Sequence, residues 1–288
     1  MARDFHEHSA AARAVFAEAS EALGLDMAAL CFEEDERLDR TEFTQPAILT
    51  AEIAMLRALE ADFGLSPRYF GGHSLGEYTA LCAAGVLGLA DAVRVTRLRG
   101  ALMQAAVPEG EGAMVAVIFE GISALDLNAD LADVEVDVAN RNSTDQIVLS
   151  GRAHAVAAAS VRLGARLGDG ARLVSLNVSA PFHSRLMRPI EEEFRGALGS
   201  MTLAVQRASL VTSNFTGGFH EPRAEAIVDA LTRQVSGTVD FIANMRALAV
   251  ADRVYEIGPH RPLRAFFKSI GRDITSIVSL KTATKELG

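Results

Sequence analysis

The chain has no tryptophan, three tyrosines and only two cysteines in 288 residues. Cys31 and Cys82 form no CxxC pair and no metal-ligand spacing, which excludes a disulfide scaffold and a zinc framework. They read as buried thiols in a reducing compartment. The 28 basic residues are outnumbered by 37 acidic ones, a net charge of -9. That balance excludes nucleic acid as a general partner but leaves room for a local basic site. No apolar run reaches membrane-spanning length. The first residues, MARDFHEHSAAARAVF, carry acids and histidines where a secretory leader needs a basic start and an apolar core. The expectation is a soluble cytoplasmic chain with no membrane partner. It shows no internal repeat and no low-complexity tract.

What is present is apolar material, 49% of the residues, ample for a buried core. The length fits one large domain, or a large one holding a small insertion. Hydrophobic spacing predicts a helix over 4–23, a short one from Asp26 to Leu30, and a charged stretch over 33–40. A long helix is expected from Thr44 to about Phe63, with Pro46 in its first turn. Helices follow over 75–84 and 90–106. Strands over 113–119, 134–138, 146–149 and 172–178 surround a weak helix at 122–131 and a strong one at 153–167. That is β-α-β-β-α-β, the order of a ferredoxin-like unit. Residues 140–145 read as a polar turn. Beyond 180 the texture is α/β again, with strands at 209–213, 253–257 and 275–278 and helices at 191–198, 224–235, 241–249 and 263–270. Strands alternating with helices imply a mainly parallel sheet. We therefore expect a large domain of residues 1–111 and 181–288, and a small one of 112–180.

Chemistry is concentrated in RYFGGHSLGEYTAL, residues 68–81. Gly72-His73-Ser74-Leu75-Gly76 is a G-x-S-x-G pattern between the apolar pair Tyr69-Phe70 and a helix-prone run. A serine there sits on a sharp strand-to-helix turn, with flanking glycines for close backbone approach. N–H groups opening the following helix point at any oxyanion formed beside it. The same five residues are equally compatible with an ordinary glycine-rich turn. A serine nucleophile also needs a base. Among seven histidines, His6, His8, His154, His220 and His260 read as structural or solvated. His73 adjoins Ser74, and neighbours on a sharp turn diverge. His183 ends a strand where the insertion rejoins the large domain, facing a pocket between the two parts.

Five ordered stretches carry a resemblance: GHSLGEYTALCAAGVL, VTRLRGALMQAAVPEGEGAMVAV, VANRNSTDQIVLSG, SAPFHSRLM and VYEIGPHRPL. Together they resemble the malonyl-CoA:acyl-carrier-protein transacylases, a family that includes the fatty-acid enzyme and the acyltransferases of polyketide synthases. The resemblance runs from about residue 1 to 280. It implies an α/β-hydrolase-like parallel-sheet core with an inserted ferredoxin-like subdomain. It implies a Ser-His dyad of Ser74 and His183, the histidine held by the backbone carbonyl of Gln234 in Ala230-Leu231-Thr232-Arg233-Gln234. It implies malonyl transfer from malonyl-CoA to the phosphopantetheine thiol of an acyl carrier protein, with ping-pong kinetics, no metal and no cofactor beyond these substrates. Arg99 matches the arginine that pairs with the malonyl carboxylate, a role suited to a planar guanidinium. Phe182 resembles the F-H pairing of malonyl-selective members. Arg99, Phe182, Gln234 and His73 are thus the substrate-side candidates, with Asn140 and Asn142 as nearby scaffold. Arg261, Arg264, Lys268 and Arg272 fall on one face of the last predicted helix and its end, and suit CoA phosphates, an acidic carrier protein or simple solvation. We expect a monomer.

The chain departs from the family pattern at its start. Members open with a buried strand and a G-Q-G-S-Q loop, whose first glutamine gives one N–H to the oxyanion hole. Met1 falls level with a methionine beyond that loop, leaving Leu75 N–H as the remaining donor. An internal start or a true variant would each account for this. His260 stands where members carry a small residue. Two other readings compete: a thioester hydrolase on the same scaffold, which Arg99 disfavours, and a low-activity carrier-binding scaffold.

Overall fold

The computed structural model describes residues 1–288. It opens with α1 (Arg3–His8) and α2 (Ala10–Leu23), two helices where periodicity predicts one. Ser9 adopts extended backbone between them. Long-range ties set the direction of α1. Asp4 accepts from Leu280 N–H at 2.6 Å, and the Met1 ammonium donates to the Cys31 carbonyl at 2.6 Å. Tertiary anchoring overrides local helix propensity here. His6 is packed rather than solvated, its ring edge-on to Phe16 and Phe32. Next comes α3 (Met27–Phe32), capped by Asp26, whose side chain accepts from Ala29 N–H.

The long helix α4 (Thr41–Phe63) starts a turn earlier than predicted, so Pro46 lies in its second turn. Thr44 stabilises that start by bonding the Arg40 carbonyl through both its N–H and its hydroxyl. Buried side chains occur all round α4, among them Leu49, Ile53, Met55 and Leu59. A helix apolar on every face belongs in the centre of a core. It packs against α2, α5 (Leu75–Ala83) and α6 (Leu89–Ala105). The crossing with α6 is close because residue 100 is glycine: a Cβ there would lie 2.4 Å from the Thr41 carbonyl oxygen. That approach lets Arg99, one residue away, reach α4.

The strands β1 (Gly112–Ile118), β2 (Val136–Ser143), β3 (Gln146–Arg152) and β4 (Arg172–Ser175) form one antiparallel sheet in the order β4-β1-β3-β2. The single-turn α7 (Asn128–Leu131) lies between β1 and β2, and α8 (Ala153–Leu167) between β3 and β4. This is the ferredoxin-like arrangement. Side chains alternate across β1 as a strand requires. Val115 and Val117 join the cluster under α8, which holds Val156 and Leu163. Met114 and Ala116 face the other way, towards Phe182. The predicted polar turn over 140–145 shrinks to two residues, because β2 continues through Ser143 with two register shifts. Such bulges re-aim side chains, and here they bury Asn140 and Asn142.

After α9 (Glu191–Gly199) and α10 (Ala224–Ser236), the short β5 (Val239–Asp240) pairs parallel with β2 and extends the same sheet. A strand from beyond residue 180 thus joins the sheet of the insertion. Then come α11 (Phe241–Leu248), β6 (Tyr255–Ile257), α12 (Leu263–Ser269), β7 (Thr275–Ile277) and α13 (Leu280–Leu287). The parallel part of the fold is thinner than predicted: β6 pairs with β7, and Phe70 makes one parallel bridge to Val211. The predicted strand at 209–213 is reduced to that bridge and one from Thr212 to Phe219. No helix is long and apolar enough to cross a membrane.

Candidate active site

Ser74 lies between the Phe70 bridge and α5, with φ 53° and ψ -102°. A non-glycine residue there is strained, and the surrounding structure must hold it. Gly72 is the glycine this turn requires. A Cβ at 72 would sit 2.2 Å from the Gly76 carbonyl, whereas a Cβ at 76 would meet nothing. Close approach thus rests on one of the two flanking glycines. Asn214, fully buried, clasps the turn from behind. Its Oδ1 accepts from Ser74 N–H at 2.6 Å and its Nδ2 donates to the Gly72 carbonyl at 2.8 Å.

His183 meets the serine from the far side of the chain. Its Nε2 lies 2.7 Å from Ser74 Oγ, and its Nδ1 lies 2.7 Å from the Gln234 carbonyl oxygen. A carbonyl only accepts, so Nδ1 carries the proton and Nε2 presents its lone pair to the hydroxyl. His183 also has positive φ, 56°. Burial, then the Arg99 charge, push its pKa down from 6.5 to about 3. The ring is a neutral acceptor across the whole physiological range.

Arg99 is 2% exposed on the inner face of α6. It donates to Gln45 Oε1 at 2.7 Å, to Gln234 Oε1 at 3.0 Å and to Ser74 Oγ at 3.0 Å. Its guanidinium also lies over the Tyr78 ring, 5.2 Å from the centroid. No carboxylate bonds it, and its Nε–H has no acceptor. Burial pushes its pKa down, while Tyr78 and Glu77 push it back. A buried cation held by amides and a hydroxyl is available to a carboxylate that arrives later.

These groups open onto a cavity of about 990 Å³. Its walls include Ser74, Leu75, Arg99, Phe182, His183 and His73. Leu75 N–H, at the first position of α5, has no acceptor within the protein. His73 turns away from Ser74, as expected. Its Nε2 lies 2.7 Å from Asn142 Oδ1, its ring packs on Phe241, and burial pushes its pKa down. Gln234 is placed differently from the other substrate-side candidates. It is fully buried and does not line the cavity; its side chain touches Arg99 and the Ser74 carbonyl instead. Asn140 lines the cavity with a buried Nδ2 that has no partner.

Sequence reasoning missed Gln45 and Asn214. Gln45 was visible only as a polar residue inside an apolar helix, and nothing local marked Asn214. His220, expected to be structural or solvated, is buried and bonded to Glu77. His8, His154 and His260 are exposed. Of the predicted basic face, Arg261, Arg264 and Lys268 are exposed and unpaired, while Arg272 turns back to the Ala251 carbonyl.

Turn, sheet and cavity place the molecule among α/β proteins that carry a serine on a strained strand-to-helix elbow. The chain belongs to the acyl transferase domain family, whose profile matches residues 1–285. It is 37% identical over 266 residues to the malonyl CoA-acyl carrier protein transacylase of Escherichia coli K12, covering 91% of this chain and 85% of that one. A solved malonyl-CoA:acyl carrier protein transacylase from Xanthomonas oryzae superposes with a TM-score of 0.91 at 38% identity, covering 100% of this chain and 92% of that one. The malonyl-transacylase of a type II polyketide system, solved in complex with its acyl-carrier protein, gives 0.90 at 33% identity, with 100% and 94% coverage.

Proposed function

We propose that this chain transfers a malonyl group from malonyl-CoA to the phosphopantetheine thiol of an acyl carrier protein, through an ester on Ser74. The names of its relatives support the substrates, and the solved complex with a carrier protein supports the partner. The observation that carries the proposal is Arg99: a buried cation with no carboxylate partner, 3.0 Å from the serine hydroxyl. An acyl group bearing its own carboxylate completes that site.

In the first half-reaction Ser74 Oγ bonds to the thioester carbonyl carbon and its proton passes to His183 Nε2. Leu75 N–H donates to the oxyanion. The carbon–sulfur bond then breaks, and CoA leaves as a thiol with the proton from His183. In the second half the carrier thiol gives its proton to His183 and its sulfur bonds to the same carbonyl. The serine ester breaks and Ser74 recovers its proton. Gln234 fixes the histidine tautomer through its backbone carbonyl. Phe182 narrows the cavity beside the base, where an α-methyl group would crowd it. No cofactor beyond the two substrates enters either half.

The exposed Arg261, Arg264 and Lys268 suit an acidic carrier protein, and we infer that α12 borders its approach. We place the enzyme in the cytoplasm, as a monomer. Its two unpaired, buried cysteines suit a reducing compartment. The test is intact-protein mass after brief mixing with malonyl-CoA, followed by addition of holo carrier protein. We expect one malonyl adduct, absent from Ser74→Ala, that moves to the carrier. An adduct that is released to water at the same rate with and without carrier would instead assign hydrolysis.

A further inference from the structure

Beneath the nucleophile lies a buried carboxyl group that the transfer itself does not use. Glu77 is 0% exposed, one turn into α5 from Ser74. Its Oε2 accepts from Gln234 Nε2 at 2.8 Å and from Asn214 N–H at 3.0 Å. Its Oε1 meets His220 Nε2 at 2.8 Å, and His220 is itself 4% exposed. Two of these partners, Asn214 and Gln234, carry part of the reaction centre. Asn214 binds the Ser74 N–H and the Gly72 carbonyl, the backbone that leads into Ser74. Gln234 offers its backbone carbonyl to His183 and its side-chain oxygen to Arg99. One carboxyl group therefore ties together the supports of nucleophile, base and substrate cation.

We propose that Glu77 and His220 form a positioning pair that holds Asn214 and Gln234, and through them Ser74, His183 and Arg99, in reactive register. The role of the Gln234 side chain follows from the same geometry. It stands between Glu77 and Arg99, accepting from the cation and donating to the carboxyl group. A direct Glu77–Arg99 pair would neutralise the guanidinium and occupy its donors. With an amide between them, the carboxyl group sits near the cation while the guanidinium stays open to a substrate carboxylate. His220 holds the second oxygen of Glu77, so that Oε2 remains aimed at the amides. Supports of this kind matter because a misplacement of about 1 Å in a reacting group can cost on the order of a hundredfold in rate.

The proposal rests on the acyl-transfer reading, and its test separates the two. Ser74 reactivity is measured with an uncharged fluorophosphonate, and acylation with malonyl-CoA in a single turnover. Both are compared with the thermal midpoint by circular dichroism. In folded Glu77→Gln, both rates are expected to fall about tenfold or more, well below the unfolding temperature. His220→Leu, which removes the donor, should slow both steps similarly. His220→Gln, which keeps a donor, should restore most of the rate. Rates matching the parent in folded Glu77→Gln or His220→Leu would overturn the proposal. So would a His220→Gln variant as slow as His220→Leu at equal stability. If Glu77→Gln fails to fold, the two His220 variants decide the matter. A parent chain that takes the fluorophosphonate but no malonyl group would sink the acyl-transfer reading and leave this proposal to be judged on the probe alone.

Discussion

The two faces of α6 carry arginines with opposite fates. On the outer side Arg94 lies 3.7 Å from Asp91, and Arg97 bonds Glu42 at 3.2 Å while resting on the Phe43 ring. Both keep contact with water, and each has a carboxylate partner, Glu42 serving Arg40 as well as Arg97. Two residues beyond Arg97, Arg99 is buried with amides, a hydroxyl and an aromatic face as its surroundings. A surface pair adds little to stability and nothing to chemistry. A buried cation without a carboxylate is expensive to maintain, so its persistence points to a ligand that supplies one. The contrast with Glu52 is also instructive. Burial pushes that carboxyl group up to about 7, with a hydrogen bond from Thr79 pulling the other way. A buried acid escapes its charge by taking a proton; a guanidinium cannot shed its own.

The sharpest way to break the comparison is at the nucleophile. Ser74→Ala is expected to lower acylation by at least about a thousandfold, since removing a nucleophile leaves only binding and orientation. Loss of the inner cation comes next. Arg99→Met should slow malonyl transfer by roughly two orders of magnitude. Phe182→Ser should raise the rate with methylmalonyl-CoA relative to malonyl-CoA by about tenfold, the usual scale for one methyl group in a pocket. Arg97→Ala, on the outer face, should leave the rate within about twofold and stability within about 0.5 kcal/mol. Each rate is read by single-turnover mass spectrometry.

Protonation sharpens the picture further. His183 is held below its ordinary 6.5, at about 3, so the folded state disfavours the charged ring. The stability tied to the neutral ring is present above about pH 6.5 and is lost as pH falls towards 3. Glu52 acts in the opposite sense. Its pKa rises from 4.5 to about 7, so stability falls as pH climbs through that interval. Glu52→Gln should flatten the neutral side of the stability profile in pH-dependent thermal melts, and leave the acid side unchanged. Labelling of Ser74 by an uncharged phosphonate should persist well below pH 6, where an unperturbed histidine would already be protonated.

Much of this arrangement was legible in the residues. Helices α5, α6 and α8 fall where periodicity and glycine punctuation put them, and the β-α-β-β-α-β order predicted the antiparallel sheet. Local rules failed where distant contacts decide. Ser9 breaks the first helix because Asp4 and Met1 are tied to remote backbone. The strand at 209–213 was read from apolar residues, yet only single bridges form there. The helix α13 was overlooked although Ser279 and Thr282 make its capping box, since the pair lacks the usual glutamate. At the site, Ser74, His183 and Arg99 stand in motifs that sequence can flag. Asn214, Gln45 and His220 could not be flagged, because each acts through a partner between 54 and 143 residues away.

One ratio tests the central claim most directly. Single-turnover acylation of Ser74 is measured with malonyl-CoA and with acetyl-CoA, in the parent chain and in Arg99→Met. If the buried cation reads the substrate carboxylate, the malonyl rate should fall by roughly a hundredfold while the acetyl rate stays within several-fold, collapsing the preference. Equal losses with both donors, or a malonyl preference that survives in folded Arg99→Met, would contradict the account. Arg99 would then be a support for the serine rather than the partner of the substrate.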